Sequence, residues 1–453
     1  MKIAFIGGGS VQWTPTLVTD MALTETLAGA DLVLHDIDAD ALELLARASR
    51  RIVEQVNGNL HVTATTDRAE ALEGADFVIL CVAIGGLPAV RYDLEIPERY
   101  GVYQSVGDTV GPGGLSRGLR HIPFAVQVAR EMERLCPSAW LLNLTNPMTT
   151  ICRAITRTTN IRTIGLCHEI SGMRYHLAGL LNARVETIAL EVAGINHLPV
   201  ILRCTIGGQD GIGMLHEWLA EHGPFELVDH RELDTVWDVF QDRLALKLTL
   251  FQQRGVLFGA GDRHVAEFFS GFLTEASGQG RRYGFVLTTV AHREEMARQR
   301  RERIEQFVAG VPEWLRQSEE QLAPVMAALA GGPRGQFVVN VPNRGQIDNL
   351  PREAVVECLA EIGPLGVQPL AVGALPHAAY AAIAPHVARQ ELTVEAALTG
   401  RREPALAALA TDPLVSDPAT VEPMLDELWA ANAAFMTNDR GLATADHRPR
   451  TAD

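Results

Sequence analysis

Met1-Lys2-Ile3-Ala4-Phe5-Ile6-Gly7-Gly8-Gly9-Ser10, with Leu32-Val33-Leu34 and Asp36 further on, is the stretch that decides the fold. The run Ile3 to Ile6 is short and apolar, as a parallel strand buried on both faces requires. Consecutive glycines end it, and a helical stretch follows before Leu32-Val33-Leu34 reads as a second strand, so the segment predicts one right-handed βαβ unit. Bare backbone at Gly7, Gly8, Gly9 and Ser10 can bring amides against a pyrophosphate at a helix N-terminus. The third glycine of G-x-G-x-x-G would fall on Gln12, so the spacing is imperfect. Asp36 strengthens the reading. A carboxylate just after the second strand can accept both ribose hydroxyl protons, which favours NAD over NADP. The competing reading is a glycine turn and a surface aspartate in some other doubly wound domain.

Outward from that unit, Phe77-Val78-Ile79-Leu80-Cys81-Val82 and Ala139-Trp140-Leu141-Leu142-Asn143-Leu144 continue the strand pattern. After about Gly165 strand signals thin, and helical patterns dominate in Arg293 to Gly310, Trp314 to Leu329 and Thr420 to Phe435. The expected architecture is α/β: a Rossmann domain over 1–165, a mixed α/β, mostly helical second domain over 166–438, and a polar, frayed tail over 439–453. Leu365 to Ala388 is the one long apolar stretch. Its prolines, histidines and glutamine would sit poorly against lipid, so it reads as buried helix and turn, with no membrane span expected.

The 453 residues are 47% hydrophobic and 21% charged, enough for two domains. A formal charge of -16 without a basic run argues against nucleic acid and for small-molecule partners. The six cysteines have no paired short spacing and the chain begins with a strand, which together point to a reducing cytoplasm.

Polar clusters stand where the strands should end, the usual ligand edge of an open α/β sheet. They are Gly107-Asp108-Thr109-Val110-Gly111-Pro112-Gly113-Gly114, Asn143-Leu144-Thr145-Asn146-Pro147, Cys167-His168-Glu169-Ile170, Gly194-Ile195-Asn196-His197 and Asp262-Arg263-His264. Singly each has a plain reading: a turn at Asn146-Pro147, a small buried residue at Cys167, a hydrogen-bonded core residue at His197. Their joint occurrence carries the information.

In that joint pattern, together with Val341-Pro342-Asn343-Arg344-Gly345-Gln346-Ile347-Asp348-Asn349-Leu350-Pro351, the chain resembles glycoside hydrolase family 4 along nearly its whole length. Those are NAD- and manganese-dependent glycosidases whose NAD domain is of the lactate/malate dehydrogenase type. The resemblance implies oxidation of sugar carbon 3 by NAD+, loss of the acidified carbon 2 proton, elimination at carbon 1, addition of water and re-reduction by the same NADH. It implies Cys167 and His197 as ligands of Mn2+, with Asn146 beside cofactor and metal bonding the sugar hydroxyls. It also implies a homodimer or homotetramer.

Many members take the carbon 2 proton with a tyrosine, but no tyrosine lies between Tyr175 and Tyr283 here. The corresponding region reads Gly261-Asp262-Arg263-His264, so Asp262 is expected as the base, the alternative being an ion pair with Arg263 or Arg281. Asp108, on its glycine-rich loop, is expected as the acid, against a plain turn former. His168 stands where phospho-sugar members have Asp or Asn, which points to unphosphorylated α-glycosides. Cys167-His168-Glu169-Ile170 resembles the Cys-His-Glu-Val variant of α-galacturonidases, so His168, Glu169 and Arg263 are expected at the substrate, with Arg263 facing a uronate carboxylate. Neutral α-glucosides and α-galactosides stay open. So do two other classes, a lactate- or malate-type dehydrogenase and a non-catalytic NAD sensor.

Overall fold

The computed structural model describes residues 1–225 and 236–436; the tail expected at 439–453 lies outside them. Six parallel strands, β1 (Lys2–Ile6), β2 (Ala30–His35), β3 (Leu60–Thr65), β4 (Phe77–Leu80), β5 (Trp140–Asn143) and β6 (Arg162–Gly165), stand in the order β3-β2-β1-β4-β5-β6. That is the Rossmann order, with its reversal beside β1. Ile3 pairs with Leu32 on one side and Phe77 on the other, all fully or nearly fully buried, as strands covered on both faces require.

The turn after β1 depends on glycine at Gly7. Its φ is +98°, and a Cβ there would lie 1.9 Å from the Cys81 carbonyl oxygen. Further on, Asp38 caps the helix Ala39–Gln55 by accepting from the Asp40 and Ala41 amides.

Six more strands extend the same sheet among the described residues: β7 (Ile188–Ile195), β8 (Leu198–Ile206), β9 (Gln209–Asp210), β10 (Gly335–Pro342), β11 (Val355–Gly363) and β12 (Gly366–Pro369). Beyond β6 the order runs β10-β11-β7-β8-β9, with β12 on β11 and every one of these pairings antiparallel. The junction is the pair Gly165 and Asn340. A Cβ at Gly165 would meet the Met148 side chain at 2.8 Å and the Asn340 Cβ at 2.9 Å, so glycine lets the two halves join there. Helices outweigh strands in this second half, yet its strands are more numerous than the sequence pattern foretells.

Two helical expectations need correction. Trp314 to Leu329 is helical only over Leu322–Leu329. The preceding segment is drawn off the helix path because Ser318 donates its amide and hydroxyl to the buried Asp20 carboxylate, while Glu313 pairs with Arg303. Leu365 is not core but 78% exposed, at the turn between β11 and β12, where Gly366 has φ +100°. The helix begins only at His377. No helix among the described residues is long and apolar enough to cross a membrane.

Candidate active site

One cleft of about 800 Å3 runs from the glycine turn to the polar clusters at the strand ends. At its first end Gly9 donates its amide to Asp36 Oδ2 at 2.9 Å, and Ser10 Oγ accepts from the Trp13 amide at 3.2 Å. Gly7, Gly8, Gly9, Ser10 and Asp36 therefore lie together, with Val11, Gln12 and Trp13 on the cleft wall at the head of the helix Thr14–Leu23. A Cβ at Gly9 would stand 2.7 Å from Asp36 Oδ2, so the cradle has room only for backbone.

At the other end the two-residue turn Asn196-His197 joins β7 to β8 and holds His197 at φ +64°. A bulky residue in that region marks a constrained position. His197 Nδ1 lies 2.8 Å from Thr109 Oγ1, which donates to Asp108 Oδ1 at 2.6 Å. The single hydroxyl proton is committed to the carboxylate, so Nδ1 carries the imidazole hydrogen and Nε2 keeps its lone pair. The His264 ring lies 4.0 Å from that of His197, centroid to centroid, and its Nδ1 is buried without a partner.

Ligand atoms of Asp108, His197 and His264 all fall within 4.8 Å of one another. Burial holds His197 below its ordinary pKa; burial, followed by His197 itself, holds His264 well below. Asp108 lies below its ordinary range: burial works to raise it, while His197 and His264 when protonated, Arg117 and the Thr109 hydroxyl lower it. Two neutral imidazoles and one carboxylate form a donor set that suits a divalent transition metal.

The structure does not bring Cys167 into that set. It packs with Met148, Cys152 and Val355, and burial, then the Glu357 and Glu169 carboxylates, push its thiol well above the ordinary range. The resemblance implied Cys167 and His197 as ligands; the described residues whose ligand atoms gather here are His197, Asp108 and His264. Asn146 is at the site: its Nδ2 donates to Asp108 Oδ2 at 3.2 Å, and its buried Oδ1 has no partner.

Asp262 lines the same cleft at the head of the helix Ala245–Arg254. Its carboxylate accepts the Leu246 amide at 2.9 Å and the Lys247 amide at 3.1 Å. Lys247 Nζ lies 3.7 Å away and also binds Asp242, so the cation beside Asp262 is Lys247 rather than Arg263 or Arg281. Burial, then Asp242, push the Asp262 carboxyl up to about 7 against the pull of Lys247 and the two amides.

His168 is half-exposed on the cleft wall, 3.1 Å from a Glu320 oxygen. Glu169 turns inward, accepting the Gly261 amide at 2.7 Å and standing 3.6 Å from His264 Nε2. It acts chiefly as a tie between its own helix and the 261–264 segment. Arg263 lies over the Phe240 ring at 4.9 Å and donates to Thr288 Oγ1 at 3.3 Å.

Sequence reading missed His264 and Lys247. His264 sat inside a quoted cluster, two residues from Asp262, so the spacing was available. Lys247 carries no comparable signal, being one cation between Leu246 and Leu248 in the first turn of its helix.

With the geometry in place, comparison with known proteins is informative. Residues 2–183 match the model described as family 4 glycosyl hydrolase, and residues 192–415 match that of the family 4 glycosyl hydrolase C-terminal domain. An alpha-galacturonidase of Bacillus subtilis (strain 168) is 35% identical over 433 residues, 92% of this chain and 93% of the relative. The crystal structure of lplD from Bacillus subtilis superposes with a TM-score of 0.87 at 32% identity, covering 94% of this chain and 99% of the other. A 6-phospho-alpha-glucosidase from gut microorganisms in complex with NAD and Mn2+ shares the fold, at TM-score 0.80 and 24% identity, over 96% of this chain and 98% of the other.

Proposed function

Because the chain belongs to the family 4 glycosyl hydrolases, we propose that it cleaves unphosphorylated α-glycosides, α-galacturonides in particular, by NAD-dependent redox elimination with a divalent metal, Mn2+. The observation that carries this reading is the single cleft that runs from Val11, Gln12 and Trp13, directly after the Gly7–Ser10 turn, to Asp108, His197, His264 and Asp262. Support for the uronide comes from the alpha-galacturonidase relative, from Cys167-His168-Glu169, and from Arg263 on the cleft wall.

When bound, NAD+ supplies the hydride acceptor for sugar carbon 3, and the metal ion supplies a Lewis acid for the carbonyl that results. Gly9 and Asp36 orient the nucleotide, since the bare turn fits backbone and phosphate but no side chain. His197, His264 and Asp108 would hold the ion. Asn146 Oδ1, unpartnered and buried, accepts a sugar hydroxyl. Asp262 removes the carbon 2 proton, and a carboxyl raised to about 7 is a stronger base than an exposed aspartate while still ionising near neutrality. Asp108, expected as the acid, is anionic in this arrangement, which suits a ligand better than a proton donor.

Hydrolysis of paired neutral and uronic α- and β-glycosides, with NAD+ and Mn2+ each added and withheld, tests the reading. Uronide cleavage that needs both and forms no net NADH supports it. Cleavage confined to neutral sugars sinks the uronide assignment, and stoichiometric NADH from a hydroxy acid without glycoside cleavage sinks the mechanism.

A further inference from the structure

Arg293 reaches into the cleft from the helix Val290–Val308, beside Arg263. Both guanidinium groups touch the same residue: Arg263 Nη1 donates to Thr288 Oγ1 at 3.3 Å, and Arg293 Nε to the Thr288 carbonyl at 3.3 Å. Arg293 Nη2 also donates to the Val106 carbonyl at 2.7 Å, while the Thr288 amide bonds the Ser105 carbonyl at 2.8 Å. Thr288 is 3% exposed, so the pair stands on a fixed base tied to Ser105 and Val106, just ahead of Asp108 in the chain. Each guanidinium keeps unused N–H groups. None of the ion pairs among the described residues involves either arginine, although Asp108 and Glu267 attract Arg293 from farther off. The two cations repel each other. Like charges held together on neutral acceptors, with donors to spare, form a site for an anion.

The cofactor's phosphates are a poor candidate for that anion. Arg300, on the same face of the same helix, donates to Gln12 Oε1 at 3.1 Å beside the glycine turn. Seven helical residues separate it from Arg293, roughly 10 Å along the axis. Arg293 therefore stands at the sugar end of the cleft, near the loop that carries Asp108.

We infer that Arg263 and Arg293, braced by Thr288, form a clamp for an anionic substituent on the sugar and are the residues that select a uronide over a neutral glycoside. The inference rests on the uronide reading above and adds the second arginine to it. A carboxylate and a phosphate share the required chemistry, so the test separates them.

The experiment compares wild type with Arg293→Met, Arg263→Met and the milder Arg293→Lys. Galacturonate, galactose and galactose 6-phosphate are titrated into the NAD- and Mn2+-loaded proteins by calorimetry, and kcat/KM is measured for matched galacturonide and galactoside substrates. Wild type is expected to bind galacturonate at least tenfold more tightly than galactose. Each Met variant should lower the uronide-to-neutral ratio of kcat/KM at least tenfold, mainly through KM, with Arg293→Lys in between because it keeps the charge and loses the fork. An unchanged ratio in variants that retain NAD+ binding overturns the clamp, and so does a wild type that binds no anionic sugar better than galactose. Tighter binding of the 6-phosphate than of galacturonate, lost in the Met variants, refutes the uronide reading and leaves the clamp standing.

Discussion

Gly9→Ala isolates the nucleotide cradle from the rest of the fold. The φ of Gly9 lies outside the left-handed region, so alanine carries no backbone strain there. Its Cβ would, however, stand 2.7 Å from Asp36 Oδ2 and 2.9 Å from Asp36 Cγ, where ordinary contacts begin near 3.4 Å. The Asp36 carboxylate has to move by more than half an ångström, which breaks its 2.9 Å bond from the Gly9 amide and misaligns it for the ribose hydroxyls. Loss of one hydrogen bond to a charged group costs about 1.5–3 kcal/mol. That corresponds to about a tenfold to 150-fold rise in Kd for NAD+. Calorimetric titration of NAD+ measures it, and a melting curve without cofactor checks the fold. The clash is with Asp36, so Gly9→Ala added to Asp36→Ala should cost little beyond Asp36→Ala alone. Full additivity of the two losses, or wild-type affinity in the single variant, would refute the reasoning.

Lys247→Met leaves the buried Asp262 and the partly buried Asp242 facing each other without their cation, and a broken buried pair costs about 3–5 kcal/mol; urea midpoints at neutral pH should fall accordingly. Asp412 is buried and its carboxyl is pushed up to about 6, first by burial, against the pull of the Leu414 amide and Arg389. A folded pKa above the unfolded value means its contribution to stability is fully present below about 3.8 and is lost as pH rises through about 6. Asp412→Asn should therefore melt higher relative to wild type at pH 8 than at pH 4, on the order of 1–3 kcal/mol, and a pH-independent difference would exclude that account. His264→Ala should weaken Mn2+ binding at least about tenfold by electron paramagnetic resonance of free Mn2+. A larger loss in Cys167→Ser than in His264→Ala would return Cys167 to the ligand set.

What the sequence revealed depended on how local each signal was. The glycine turn, Asp36 and the runs that became β1, β2, β4 and β5 are contiguous patterns, and all were legible. β3 was not, because Leu60-His61-Val62-Thr63-Ala64-Thr65 is an edge strand with His61 and Thr63 exposed, and its apolar half is only two residues long. β11 was hidden for the opposite reason. It is buried, yet it carries Glu357 at 1% exposure, whose carboxyl burial pushes up to about 8. A carboxylic acid kept neutral at pH 7 sits inside a strand where a carboxylate would break one, and composition alone cannot tell the two apart.

The site shows the same limit from the chemical side. Within one short segment, Gly261 donates to Glu169, Asp262 caps the helix Ala245–Arg254, Arg263 meets Thr288, and the His264 ring lies tilted against that of His197. Three residues later Glu267 accepts the Val106 and Gly107 amides, each at 2.7 Å, and so fixes the loop that ends in Asp108. The Gly261 amide and the side chains after it thus reach partners roughly 16 to 161 residues away, because the segment's single helical turn fans them in different directions. Resemblance could point to the segment, since its residues are adjacent. Resemblance already names Asp262 as base and Arg263 for a uronate; the positions of His264 beside His197 and of Glu267 under the 105–108 loop come from the fan, which only the folded chain displays.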